Sequence, residues 1–169
     1  MGLGTMGKIV ELDELLAELA RQRRTQRRVV FTNGCFDLMH AGHVSYLSAA
    51  RQQGDLLVIG LNSDRSVRTI KGAARPIVAQ DMRAKVLAAL ECVDYITYFD
   101  EPDPLQLILA IKPDVLVKGA DWKEDQIIGA AEVKAAGGRV FRVPLLPGIS
   151  TSEIIRRILE SRGSGQDGV

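Results

Sequence analysis

The sequence has no run of apolar residues long enough to cross a membrane, and its first residues lack the apolar core of a signal peptide. It has only two cysteines, Cys35 and Cys92, whose spacing suits neither a metal site nor a disulfide framework, so a reducing cytosol is the expected location. The net charge of +1 over 169 residues argues against general affinity for nucleic acid, while leaving room for a local basic patch. What remains is a soluble, cytoplasmic globular protein.

Basic residues do concentrate in one place, at the end of the first predicted helix, where five arginines occur at positions 21, 23, 24, 27 and 28. A patch that binds polyphosphate or nucleic acid is one interpretation. The other is a set of cations at a helix C-terminus, which the helix dipole favours. No aromatic residues are interleaved to stack on bases, so we favour the second interpretation and expect neither a nucleic-acid partner nor a membrane contact.

Glycine-rich stretches at both termini set the expected domain boundaries. Residues 1–7 contain three glycines and a second methionine, and we predict a flexible leader there. Residues 163–169 read GSGQDGV and are predicted to be disordered. Residues 8–162 are then one domain, large enough for a single hydrophobic core and too short for two.

Apolar runs alternate with amphipathic stretches along this domain. Strands are predicted over 29–32, 56–61, 93–99, 115–117 and 140–143. Helices are predicted over 11–24, 42–53, 81–90, 104–112, 128–136 and from Ser150, where Ser150 and Glu153 match a capping box. Residues 65–79 are predicted to form a long loop, which is typical of a functional lid. The alternation predicts an α/β fold: a Rossmann-like, five-stranded parallel sheet with helices on both faces.

Polar clusters follow the predicted strands where each one ends. They lie at 33–43 and 118–122, and a third, 150–152, begins the last helix. Parallel strands bring their carboxyl ends to one edge of the sheet, where α/β proteins bind ligands and where helix N-termini bind phosphate. The lid candidate, with Lys71 and Arg75, would close over the same edge.

Several common site motifs are absent from the sequence. It has no G-x-x-x-x-G-K-[ST] phosphate loop, no G-x-G-x-x-G fingerprint after the first predicted strand and no G-x-S-x-G nucleophile elbow. His40 and His43 are three residues apart without an intervening glutamate, and no third zinc ligand is evident. We therefore expect no metal held by protein side chains alone.

The tetrapeptide HAGH at 40–43 contains the only two histidines of the chain. Two imidazoles at i and i+3 near a helix start project to one side, and Gly42 would let a ligand approach the backbone closely. Imidazole and backbone N–H donors there can stabilise the charge that builds on a phosphate during displacement. Two surface or capping histidines would be the alternative, but their position directly after a buried strand favours function.

HAGH resembles the H-x-G-H signature of the cytidylyltransferase-like nucleotidyltransferases, the HIGH-type superfamily, and ISTSEII at 149–155 resembles its second signature. A more extended similarity is to the adenylyltransferase domain of the ADP-heptose pathway, a domain often fused to a ribokinase-type sugar kinase. It covers about 8–158, and this chain carries only the adenylyltransferase part. The stretches that carry it are FTNGCFDLMHAGHVSYL, NSD at 62–64, KG at 71–72, RPI at 75–77, LVKGADW at 116–122 and GISTSEIIRRI.

The resemblance implies direct adenylyl transfer from ATP to D-glycero-D-manno-heptose 1-phosphate, with in-line displacement of pyrophosphate and no covalent enzyme intermediate. A phosphate monoester is already a competent nucleophile, so the protein would position the substrates and stabilise charge. Mg²⁺ would bridge the triphosphate and keep most of its waters. The apolar helix faces are compatible with a homodimer, which relatives suggest.

The resemblance also implies roles for individual residues. The catalytic residues would be His40, His43 and Lys71, the last bridging the phosphates of both substrates. The nucleotide-binding residues would be Asn33, Gly34, Phe36, Gly42, Lys118, Gly119, Asp121, Ser150, Thr151 and Ser152. The substrate-binding residues would be Cys35, Asp37, Asn62, Asp64 and Arg83. For Asp37 the alternative is a carboxylate that orients the loop at the helix N-terminus. Trp122 suits packing and stacking equally well.

Two alternative functions stay open at this point. A cytidylyltransferase acting on glycerol 3-phosphate or a related alcohol phosphate shares both signatures, and base preference depends on backbone contacts that sequence does not fix. A non-catalytic nucleotide-binding module is the second alternative, although binding alone rarely needs both histidines. The anomer of the sugar phosphate and the downstream pathway are not encoded in any recognisable motif.

Overall fold

The computed structural model describes residues 7–163, and the side chains of residues 7–161. The predictions of a flexible leader and a disordered tail therefore lie almost wholly outside the described residues. Gly7 lies inside the range, and its N–H donates to the Ala88 carbonyl at 2.8 Å. Gly163 also lies inside, as the last residue of the final helix.

Strands and helices alternate along the described chain. The strands are β1 Lys8–Ile9, β2 Val29–Gly34, β3 Leu56–Asn62, β4 Tyr95–Phe99, β5 Val115–Gly119 and β6 Arg139–Val143. The helices are α1 Leu12–Arg23, α2 Ala41–Arg51, α3 Asp64–Lys71, α4 Gln80–Ala88, α5 Leu105–Ile111, α6 Ala130–Ala135 and α7 Thr151–Gly163. A short 3-10 helix, Glu124–Gln126, precedes α6.

The sheet is parallel throughout, with strand order β1-β4-β3-β2-β5-β6. From β2 the chain moves outward through β3 to β4 and then returns to place β5 on the other side of β2. Strands β2 and β3 pair along six positions, whereas β2 and β5 pair only at Val30↔Val115 and Phe31↔Leu116. The carboxyl ends of β2 and β5 therefore border a topological switch point, the position where doubly wound sheets bind ligands.

Two hydrophobic clusters cover the two faces of the sheet. Along β3, Leu56 and Val58 pack into the cluster completed by α1, α5 and α6, while Leu57 and Ile59 pack into the one completed by α2 and α4. These strand side chains are almost completely buried, and full burial of such a residue stabilises the fold by roughly 1.5–3 kcal/mol. The prediction of an α/β fold with helices on both faces of a parallel sheet is confirmed.

The number of strands and the long loop need correction. The sheet has six strands rather than five, since the two-residue β1 pairs with β4 at its edge. Residues 64–71 form α3 rather than the start of a loop, because Ser63 caps the helix by accepting from the Ser66 N–H at 3.1 Å and Val67 is buried beneath it. Residues 72–79 alone connect α3 to α4. Lys71 is thus the last residue of a helix.

The predicted capping box at the start of α7 is half formed. The Ser150 hydroxyl accepts from the Glu153 N–H at 3.1 Å, so Ser150 acts as the N-cap. The Glu153 carboxylate pairs instead with Arg156 and Arg157, one turn further along the helix. Within the described residues, no helix combines the length and apolar character needed to span a bilayer.

Candidate active site

A cavity of about 660 Å³ opens at the carboxyl edge of the sheet, across the switch point between β2 and β5. Its lining brings together the three polar clusters predicted from the sequence. The predicted site residues in this lining are Asn33, Gly34, Cys35, Phe36, Asp37, His40, Gly42, His43, Lys71, Lys118, Gly119, Asp121, Ser150, Thr151 and Ser152. Three predicted residues, Asn62, Asp64 and Arg83, are absent from it.

The turn between β2 and α2 carries a strained residue. Phe36 has φ of 44°, a left-handed conformation that a bulky side chain rarely adopts. Its ring is buried and lies edge-on to the ring of His43, with centroids 5.4 Å apart. Strain of this kind persists where surrounding contacts fix the backbone, and it is common at functional sites. Here it turns the chain from the buried strand towards the two histidines.

The two histidines begin helix α2 side by side. His40 is the N-cap residue, and His43 lies in the first turn. Their rings stack, with centroids 3.9 Å apart and an interplanar angle of 25°. The Nδ1 atoms of both are buried without a hydrogen-bond partner among the described residues. Buried polar atoms are usually paired, so these two nitrogens are exceptions that call for an explanation, while both residues line the cavity.

Both imidazoles are neutral near neutral pH. Burial, and secondarily the neighbouring charge of His40, lowers the pKa of His43 to about 4. Burial also lowers the pKa of His40. A neutral imidazole carries one N–H donor and one acceptor nitrogen, so each ring can donate to a phosphate oxygen without first acquiring a proton.

Gly42 lines the cavity and lies against the His40 ring. A Cβ at this position would lie 3.0 Å from the His40 ring and 3.4 Å from the Ile149 side chain, so a larger residue would require these side chains to shift slightly. That glycine admits a ligand to the backbone here stays a prediction.

Lys118 and Asn33 face each other across the switch point. The Lys118 ammonium donates to Asn33 Oδ1 at 2.5 Å, joining the ends of β5 and β2. Burial lowers the pKa of Lys118 to about 8, although the nearby Asp121 carboxylate acts in the opposite direction. A partly desolvated cation at this point suits an anionic ligand such as a phosphate.

The remaining predicted phosphate-binding residues lie on two helix ends. Lys71 is exposed at the end of α3. Ser150 and Ser152 are exposed at the N-terminus of α7, and the Thr151 hydroxyl donates to the Leu38 carbonyl at 3.4 Å. Free backbone N–H groups and hydroxyls at the start of a thirteen-residue helix form a suitable phosphate site.

Asp37 lines the cavity, but its carboxylate is used by the protein itself. It accepts from the backbone N–H groups of Ile77 and Val78 and from the Arg75 guanidinium. Burial alone would raise the pKa of Asp37, but these donors outweigh it and hold the pKa below its usual value. In this structure the Asp37 side chain anchors the segment after α3, and its contact with substrate stays a prediction.

Asn62, Asp64 and Arg83 do not reach the cavity. Asn62 is buried and donates to the Ser66 hydroxyl at 2.9 Å. Arg83 is buried too, and it donates to the Asp64 carboxylate at 2.8 Å. Their side chains contact α3 and the turn after β2, and the prediction that they bind substrate stays untested.

Several cavity residues were missed by the sequence analysis or given only a weak role. Tyr46 lies below the histidines, where its hydroxyl contacts Thr32 Oγ1 at 2.7 Å and donates to the Val117 carbonyl at 3.1 Å. Tyr46 is three residues after His43 on the same helix, and this spacing predicts that the two side chains lie on one face. Trp122 is half exposed at the cavity. The other missed lining residues are Ile70, Pro102, Asp103, Pro104, Gln126, Ile127, Ile128, Leu145, Leu146 and Ile149.

The lining therefore combines cations, neutral imidazoles and helix N-termini with an extended apolar wall. The first set suits a chain of phosphates, and the second suits the flat, apolar face of a base or sugar. No cluster of three or more potential metal ligands occurs in the part of the chain that the structure describes.

Known protein sequences are similar to most of this chain. The model of the cytidylyltransferase-like family matches residues 31–157. The chain is 56% identical over 151 residues to the bifunctional protein HldE of Methylobacillus flagellatus, covering 89% of this chain and 31% of that protein. It is 51% identical over 156 residues to the bifunctional protein HldE of Geobacter sulfurreducens, covering 92% and 32%. The chain thus spans just under a third of the length of these relatives.

A solved structure shares both fold and sequence similarity. It is the lipopolysaccharide core biosynthesis protein from Thermoplasma volcanium GSS1, which matches with a TM-score of 0.58 and 28% identity. The match covers 71% of this chain and 97% of that chain. The residues shared with the family model begin inside β2 and end inside α7, so they include every cluster that lines the cavity.

Proposed function

The chain belongs to the cytidylyltransferase-like family of nucleotidyltransferases, and from that premise we propose that it transfers the adenylyl group of ATP to D-glycero-D-manno-heptose 1-phosphate, giving ADP-heptose and pyrophosphate. The observation that carries this proposal is the stacked pair His40 and His43, which lines one cavity together with Lys71 and Lys118. The same constellation suits charge stabilisation at a phosphorus atom under attack.

The choice of ATP and a heptose phosphate is supported by sequence similarity rather than by the site. The stretches at 31–47 and 116–122 resemble the adenylyltransferase domain of the ADP-heptose pathway. The high identity to two bifunctional HldE proteins agrees with this choice, since the chain matches under a third of each. That proportion fits one of two functional parts of a protein that is named bifunctional.

The proposed reaction is one in-line displacement. A phosphate oxygen of the sugar phosphate forms a bond to the α-phosphorus of ATP, while the bond from that phosphorus to the bridging oxygen of pyrophosphate breaks. Both imidazoles donate to the phosphoryl oxygens as charge develops, and the exposed Lys71 bridges the phosphates of the two substrates. The α7 N-terminus, with Ser150 and Ser152, holds the leaving pyrophosphate.

The cavity lining also offers carboxylates to a magnesium ion that would arrive with the triphosphate. Asp103 and Asp121 provide exposed carboxylate oxygens, the donor type that Mg²⁺ prefers, and Mg²⁺ commonly keeps several waters in such sites. The ion would neutralise charge between the phosphates. Lys118 and the helix N-termini provide the protein's own share of that neutralisation.

An activity panel tests the proposal. The protein is incubated with ATP or CTP together with either anomer of the heptose 1-phosphate, other sugar 1-phosphates or glycerol 3-phosphate, and pyrophosphate release is measured. We expect turnover with ATP and a heptose 1-phosphate. Turnover with CTP and glycerol 3-phosphate alone would replace the proposal by the alcohol-phosphate cytidylyltransferase, and nucleotide binding without turnover would replace it by a binding module.

A further inference from the structure

The segment of residues 72–79 joins α3 to α4 and contributes Arg75 to the cavity, although it has no regular secondary structure. Gly72 ends α3 with φ of 93°, and the Arg75 N–H donates to the Gly72 carbonyl at 3.1 Å. A connection of this kind is free to move unless neighbouring elements fix it. Two buried, oppositely charged residues, Asp37 and Arg83, fix this one.

Asp37 holds the segment by accepting hydrogen bonds from the segment's N–H groups. Its side chain is 1% exposed, and it accepts from the Ile77 N–H at 2.9 Å and from the Val78 N–H at 2.8 Å. The Arg75 Nε donates to the same carboxylate at 2.6 Å. The carboxylate therefore satisfies two backbone donors and orients one guanidinium at the same time.

Arg83 holds the segment by donating a hydrogen bond to one of the segment's carbonyl groups. Its Nε donates to the Val78 carbonyl at 2.9 Å, and its Nη1 donates to the Cys35 carbonyl at 2.5 Å. The third contact is the ion pair with Asp64 on α3. Val78 is thus held on its N–H side by Asp37 and on its carbonyl side by Arg83, and both connections lead to the turn between β2 and α2.

Stability gives little reason for such an arrangement. Removing charges from water is costly, and replacing a buried ion pair by packed apolar residues is often neutral or stabilising. Besides their ion pairs with Arg75 and Asp64, both charged residues here bond to main-chain atoms of the segment or of the turn beside the histidines. The contacts define a position, which points to a role in the reaction.

Arg75 is the side chain whose position these contacts define at the cavity. It is 20% exposed, and among the described residues its guanidinium is hydrogen-bonded to the protein through Nε alone. The N–H donors of its two terminal amino groups make no hydrogen bond to the described residues. A guanidinium held by its Nε is well suited to bind two oxygens of one phosphate, because its planar fork matches that geometry.

We infer that Arg75 binds a phosphate group of one of the two substrates, and that Asp37 and Arg83 are positioning residues that hold Arg75 in place. This inference rests on the proposed nucleotidyl transfer. The ligand is a phosphate, carried either by the nucleotide or by the sugar, and the two KM values distinguish these sources.

The first test compares Arg75→Gln with Arg68→Gln, which removes an exposed arginine from α3 outside the cavity. We expect Arg75→Gln to raise one KM, for ATP or for the sugar phosphate, by roughly tenfold or more, the scale of a lost charge-assisted hydrogen bond. Arg68→Gln should leave both KM values unchanged. If Arg75→Gln does not fold, Arg75→Lys keeps a positive charge beside Asp37 and should show the same KM increase in part.

The second test asks whether Asp37 acts through Arg75. Asp37→Asn is measured alone and in the Arg75→Gln background. A positioning role predicts a large loss of kcat/KM in the first case and a small further loss in the second, since coupled residues are not additive. Equal losses in the two backgrounds would show a merely structural Asp37 and overturn that part of the inference.

The outcome separates this inference from the proposed function. Unchanged KM values in a folded, active Arg75→Gln variant would overturn the inference alone. If the wild-type protein turns over no substrate pair, the proposed function fails, and calorimetry with ATP, with inorganic pyrophosphate and with a sugar 1-phosphate then tests the inference. Weaker binding of any of these ligands by Arg75→Gln than by Arg68→Gln would support a phosphate contact at Arg75, and equal binding of all three would exclude it.

Discussion

His43 and Asp37 lie in the same short stretch, between the end of β2 and the first turn of α2, and the surrounding protein treats their side chains in opposite ways. The Asp37 carboxylate is bonded to two backbone N–H groups and a guanidinium. The buried Nδ1 of His43, like that of His40, has no partner among the described residues. Both residues line one cavity, so the difference separates a side chain that is committed to the protein's own backbone from an imidazole that makes no such bond through Nδ1.

The strongest test of this comparison removes an available group. We expect His43→Ala or His40→Ala to lower kcat by roughly a hundredfold or more, the effect of losing one transition-state donor. The unfolding midpoint should change little, because neither Nδ1 contributes a hydrogen bond to the described structure. Steady-state kinetics checks the expectation, with Val44→Ala on the exposed face of the same helix as control. A wild-type kcat in both histidine variants would show that the histidines do not act in catalysis, and the contrast between His43 and Asp37 would then fail.

The second test removes a buried side chain that is hydrogen-bonded to the protein through all three of its guanidinium nitrogens. Arg83→Met should destabilise the protein by about 3 kcal/mol, because it leaves a carboxylate and two carbonyls without their donor. Arg65→Met is the matched control, since Arg65 pairs with Asp100 at the surface and should contribute at most about 1 kcal/mol. Urea denaturation measures both values. Equal effects of the two substitutions would contradict a buried structural role for Arg83.

The smallest expected effect is a pH dependence. Lys118 has a pKa of about 8, so its positive charge is lost as the pH rises through that value, and the KM for the nucleotide should then increase. In Lys118→Met the KM should be high and independent of pH in this range. The free energy of unfolding should rise with pH between about 8 and the ordinary lysine value of 10.5, because the unfolded chain binds more protons there. A nucleotide KM that is flat through pH 8 in the wild type would contradict the first expectation.

The sequence was sufficient to predict the fold class because its buried strands are unambiguous. Strand β3 reads LLVIGLN and is buried along its whole length, which is the pattern of a central parallel strand. Strand β1 could not be predicted, since two exposed residues show no periodicity. Helix α3 was missed because most of its residues are polar, although Ser63 offered a capping signal.

The edge of the sheet at which the site lies was predictable, but the direction of individual side chains was not. Polar residues after β2 and β5 meet at the cavity, since parallel strands end on one side. Asn62 also ends a strand, yet it is buried against Ser66. Sequence position gives the end of a strand or helix, whereas the face on which a side chain lies depends on packing between elements that are distant in the chain.

The short pairing between β2 and β5 has a consequence for how the protein first meets its nucleotide. The two strands share only two paired positions, and beyond them the gap is spanned by the Lys118 ammonium and the Asn33 amide oxygen. The ammonium has three N–H donors and gives one of them to Asn33, so the proposed contact with a phosphate can use the other two. The same cation can therefore link the two strands and receive a ligand without breaking that link.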